Sequence, residues 1–286
     1  MAAHISPAGS NEADPSPQVM SEAAPVRRRA RGFVLATYAF TWIPMIVLIG
    51  LGADVRGGPA QALFAVAACG PSLMAAVMWL VHPRERGPVR QPTWWVVPLG
   101  LVVGTAVPGL PALVLHGNDL STVSQSSSAA LAEAGGLVGF VGLTLLAGPL
   151  AEEFGWRGYL QPRVRREHGI LAATAIIGLV WSVWHLPLFF LHGTGQQAAG
   201  LLSVRGVTLL VGLFPFSLVM LFLVERLRGG VIAAVAAHFG FNAADSLVPN
   251  PGTVGMLMEL AVLVLIAVAV AAVYLRDGRS SAPTRD

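Results

Sequence analysis

Residues 135–160 read GGLVGFVGLTLLAGPLAEEFGWRGYL, an uncharged run from Gly135 to Ala151 that ends in Glu152, Glu153 and Arg157. A helix crosses a hydrocarbon core of about 30 Å in roughly 20 residues, so the run is close to a full span. Three ionisable groups at its end lie either in water beyond the membrane or in a protected place within it. The rest of the chain decides between these.

Hydrophobic residues make up 55% of the 286-residue sequence and charged ones only 12%, with a mean hydropathy of +0.67. Soluble domains carry about 25% charged residues. Half that figure, with long apolar runs recurring along the chain, reads as an all-α, polytopic transmembrane helical bundle. About eight spans are expected, near 32–52, 60–82, 93–115, 136–160, 170–191, 206–225, 230–248 and 254–275. Helices are the element that fits, because an open strand leaves its backbone unsatisfied in lipid.

All 18 basic residues are Arg, and they fall in clusters between the apolar runs. Fifteen lie at one end of the alternating spans, as in Arg27–Arg29, Arg84–Arg90, Arg163–Arg166 and Arg226–Arg228. The other end holds Arg56 and Arg205, and Arg157 lies within a span. The positive-inside rule then places both termini in the cytoplasm of a multi-pass protein of the inner membrane. The same clustering argues against nucleic acid as a partner despite a pI of 9.7. Membrane lipid and a peptide or membrane-protein substrate are the expected partners.

Residues 1–30, rich in Pro, Ser and Ala, read as a disordered tail, 31–275 as the membrane domain, and 276–286 as a second tail. The loop 116–134 is expected outside, and the lone Cys69 as an inert thiol.

Few polar residues interrupt the spans, and an ionisable group there costs roughly 2.5–3.5 kcal/mol on insertion scales, so each is a functional candidate. Glu153 and Arg157 are four apart and can pair on one helix face. His238 and Asn242 are also four apart, and His185 sits in a third span. Counted from the cytoplasmic edge at 1.5 Å per residue, Glu152 and His238 lie at about 12 Å and His185 at about 20 Å. A cavity opening towards the cytoplasm is therefore expected. Asp245 and Glu259 are read as snorkelling at the outer end.

Three motifs stand in order on separate spans: EEFGWR (Glu152–Arg157), WSVWH (Trp181 to His185) and HFGFN (His238–Asn242). Together they resemble the CPBP family of intramembrane proteases, which includes the type II CAAX prenyl endopeptidases. The resemblance covers about residues 130–250. It implies an endopeptidase in which Glu152 and His185 activate water while His238 and Asn242 stabilise the oxyanion. Glu153 and Arg157 would hold the motif helix, and Trp181 stands where that family usually has Phe, a packing variation.

Read as bare chemistry, Glu152, His185 and His238 could also bind a divalent metal such as zinc with one position open. A proton-coupled transporter or a non-catalytic membrane scaffold would also collect such residues. Against a transporter, the first four spans show no matching motif.

Overall fold

The computed structural model describes residues 17–82, 91–276 and 278, and among them the chain is helical throughout, without strands. Helix α1 (Pro17–Gly50) begins within the segment expected to be a tail. Residues 1–16, most of the C-terminal tail, and Arg84, Arg86 and Arg90 lie outside the described residues.

The expected span 60–82 is a bent pair, α2 (Gly58–Ala68) and α3 (Gly70–Val81), turned by 52°. Pro71 in the first turn of α3 explains the break. It has no N–H to continue the α2 ladder, and its fixed φ starts a new helix well. Helix α4 (Val96–His116) follows. The expected loop 116–134 instead holds α5 (Leu120–Glu133). Asp119 caps it, accepting from the Thr122 amide at 3.1 Å. The Ser121 and Thr122 hydroxyls also bind this carboxyl and hold its pKa down at about 2. An N-cap of this kind starts a helix in a polar segment that hydropathy alone reads as loop.

The opening stretch folds as α6 (Leu137–Leu146), α7 (Pro149–Glu153), a π-helical turn over Phe154–Leu160, and α8 (Gln161–Arg165). Then come α9 (Ile170–Trp184), the short α10 (Gly195–Ala199), α11 (Val204–Leu221), α12 (Gly230–Leu247) and α13 (Gly252–Arg276). Six helical stretches among the described residues are long and apolar enough to cross a membrane, or seven with the bent pair. The remaining expected span, 230–248, seventh in chain order, is present as α12. It is less apolar than the others because His238, Asn242 and Asp245 lie in it.

Helix α12 lies in the middle of the bundle against α4, and their backbones nearly touch. A Cβ added at Gly104 would stand 1.9 Å from the Ala237 carbonyl oxygen, and one at Gly240 would stand 2.5 Å from that of Leu101. Small residues permit such close approach where lipid offers no hydrophobic drive between helices. Leu35, Leu113, Val114 and Leu265 are exposed on the outer faces. Lipid is the solvent that suits them.

Polar contacts tie the helix termini into two ends. At one, Arg27 pairs with Glu167 at 2.6 Å, Arg165 with Glu225 at 3.0 Å, and the Thr93 amide donates to the Arg228 carbonyl. This is the arginine-rich end. At the other, the Val55 amide donates to the His192 carbonyl, Ser127 to that of Leu247, and Arg205 lies 3.5 Å from Asp245.

Candidate active site

The motif helix is broken where its charges begin. Pro149 opens α7 directly after Gly148, and the following π turn winds the chain more widely than an α-helix. Single π turns of this kind recur at functional sites because they re-aim side chains. Here Glu152, Glu153 and Arg157 are all buried. The charges that open the sequence question therefore lie inside the protein.

Glu152 is held by two indoles. Trp181 Nε1 donates to its Oε2 at 2.5 Å, and Trp156 Nε1 donates to the same oxygen at 3.3 Å. Two N–H donors on one oxygen fix the rotamer of the carboxyl group. Trp181 thus does more than pack: its N–H, which a Phe would lack, is a ligand of the glutamate. The four-residue spacing of Glu152 and Trp156 was a sequence signal for the second contact.

Glu153 bridges two partners. Its Oε1 lies 2.8 Å from His238 Nδ1, and its Oε2 lies 3.3 Å from Arg157 Nε. Sequence spacing found the Arg157 half of this arrangement. The His238 half joins helices 85 residues apart and had no local signal. Arg157 is further placed by Ser217 at 3.4 Å and by the face of Trp181, 4.2 Å from the ring centroid.

His185 follows α9 directly, where Pro187 ends the helix. Its amide turns to the Ser182 carbonyl, and the Trp181 carbonyl, which would otherwise accept that amide, meets His185 Nδ1 at 2.8 Å. A carbonyl can only accept, so Nδ1 carries a proton, and in the neutral ring Nε2 keeps its lone pair. Breaking the helix thus produces an oriented imidazole with its basic nitrogen free.

Glu152, His185, His238 and Asn242 line one cavity of about 500 Å³. Its lining also includes Val55, Gly193, Arg205, Asp245 and Glu259, all near the end away from the arginine clusters. The expected opening towards the arginine side is therefore corrected. Counting residues from Leu160 ignored the further turns to Arg165, and His185 stands at the far terminus of its helix. Asp245 and Glu259, read as snorkelling, face this cavity as well.

Among the described residues, no three His, Cys, Asp or Glu side chains form a group able to hold a metal ion. Glu152, His185 and His238 are not brought together as such a group.

Residues 134–244 match the family Type II CAAX prenyl endopeptidase Rce1-like. The match takes in all three motifs, so the resemblance to the CPBP proteases stands on more than the motifs. A similar protein is CAAX prenyl protease 2 of Methanococcus maripaludis, 28% identical over 127 residues. The alignment covers 44% of this chain and 46% of that relative, so the chain spans about half of the relative's length. The Rce1-like segment starts after α4 has ended and takes in most of α12.

Gly148 shows how closely the cavity wall is fitted. A Cβ there would stand 2.8 Å from Asn242 Nδ2 and 3.3 Å from His238 Nε2. In the Gly148→Ala protein the methyl should push both polar groups from their positions. Displacements near 1 Å at a reacting centre cost about 10²-fold in rate, and that is the loss expected. Turnover measured beside membrane-insertion yield checks it: unchanged turnover would show that Asn242 and His238 need not lie there.

Proposed function

We propose that this chain is an intramembrane endopeptidase of the inner membrane, acting on peptide or membrane-protein substrates. In this reading residues 31–275 form the membrane domain, with its reacting core within about 130–250. The observation that carries it is the convergence of Glu152, His185, His238 and Asn242 on one cavity within and just beside the Rce1-like segment.

Hydrolysis needs a base for the attacking water and donors where negative charge develops. Glu152, with one oxygen fixed by indoles, and His185, with Nε2 free, are the bases. Water taken between them attacks the scissile carbonyl and leaves its proton on this pair. The proton then passes to the departing amine, so the reaction balances without a cofactor. Asn242 Nδ2 and His238 Nε2 face the oxyanion. With Nδ1–H committed to Glu153, Nε2 donates only once the imidazole carries a second proton. Glu153 supplies the counter-charge for that imidazolium, and Arg157, 3.3 Å from its other oxygen, holds it in place.

The test is cleavage of quenched fluorescent peptides by purified protein in liposomes. Glu153→Gln keeps the side-chain shape but removes the counter-charge, and should lower kcat about 10²–10³-fold, the cost of one oxyanion donor. Retained rate after chelation agrees with metal-free hydrolysis. A rate lost to chelator and restored by zinc would require Glu152, His185 and His238 to rearrange around a metal.

A further inference from the structure

Arginine placement and cavity placement are independent observations, and together they assign a side to the site. The arginine-rich end gathers the start of α1, the turns before α9 and α12, and the end of α13. Arginines gather on the cytoplasmic side because their translocation is disfavoured. The opposite end is poor in arginine, and the two it holds are matched by carboxylates. Arg56 pairs with Asp54, whose pKa that contact lowers to about 2, and Arg205 lies 3.5 Å from Asp245.

The cavity lies towards that second end. Glu152, Phe216 and His238 stand near mid-span, and the rest of the lining comes largely from helix halves distant from the arginine clusters. Examples are Ala147 and Gly148 near the start of the motif helix, Thr208 near the start of α11, Asp245 near the end of α12, and Met256 near the start of α13. Towards the arginine end Trp156, Tyr159 and Leu160 are buried in the core, and none of them lines the cavity.

We propose that the catalytic cavity is entered from the extracytoplasmic face, so that its substrates are peptide segments presented there: the outer end of a membrane-anchored or translocated chain rather than a cytoplasmic tail. The mouth fits this. Thr194, Gln196, Arg205, Thr208, Asp245 and Glu259 give it hydrogen-bonding groups of both charges, suited to an extended polar backbone passing from water into the membrane. The proposal rests on the endopeptidase reading for its substrate class, but the sidedness can be measured without any activity.

The experiment uses a Cys69→Ala background, which frees the chain of its one thiol, with either Gln196→Cys at the mouth or Arg166→Cys at the arginine end. Sealed right-side-out membrane vesicles are treated with a charged, membrane-impermeant maleimide before and after permeabilisation. Expected is full labelling of Gln196→Cys in sealed vesicles, blocked labelling of Arg166→Cys, and equal labelling of both once permeabilised. Thr208→Cys repeats the mouth measurement should Gln196→Cys fail to insert. Labelling of a mouth cysteine only after permeabilisation, or of Arg166→Cys in sealed vesicles, overturns the proposal. So does a mouth cysteine that never labels. If the mouth labels from outside yet no peptide is cleaved, sidedness stands and the endopeptidase reading falls. If peptides are cleaved only when enclosed within the vesicles, the reaction stands and the sidedness falls.

Discussion

Glu152→Ala should lower peptide cleavage by about 10²–10⁴-fold, the usual contribution of a positioned general base. The same substitution strips the acceptor from Trp181 and Trp156, which are both buried. Folding and chemistry must therefore be separated. Glu152→Gln does this, because its amide oxygen can still accept from the indoles while the group no longer takes a proton. Expected is a Glu152→Gln protein that inserts and melts like the parent but is as inactive as Glu152→Ala. Full activity in either variant would remove Glu152 from the reaction. A Glu152→Gln protein that fails to insert would return the residue to a purely structural task.

Arg157→Ala should act on stability first. The guanidinium is fully buried, with Glu153 at 3.3 Å on one side and the Trp181 ring at 4.2 Å on the other. Removing one member of a buried pair leaves the other charge uncompensated, at a cost of about 3–5 kcal/mol. The loss should appear as a lower midpoint of thermal unfolding in detergent and a poorer insertion yield. Arg157→Lys should recover only part of it, since an ammonium keeps the charge but not the planar face against Trp181. An unchanged midpoint in Arg157→Ala would show that Glu153 is satisfied by His238 alone.

The helical class and most of the spans could be read from the sequence because lipid forces a long apolar run at each crossing. Two departures have local causes. Pro71 bends one expected span, and His238, Asn242 and Asp245 make α12 less apolar than its neighbours. The candidate residues were legible because a polar group within a span is rare and costly, so each one stands out against the apolar background. Their partners were not. Nothing near Glu153 in the chain points to His238, and Trp181 in an apolar run looks like any packing aromatic until its N–H is placed against Glu152. The cavity's direction was misread for a related reason. Residue counts give depth along one helix, whereas the opening depends on which ends of several helices stand apart.

The close contact between α4 and α12 bears on how portable this machinery is. The Rce1-like segment begins after α4 has ended, yet α4 offers the glycine face on which α12 seats His238 and Asn242. Transplanting 134–244 alone into another membrane scaffold would set α12 against ordinary side chains, several ångströms further out. The smallest transferable unit therefore starts before Val96. Inactivating alleles from a random screen should also cluster at Gly100 and Gly104, two positions that carry no reactive group.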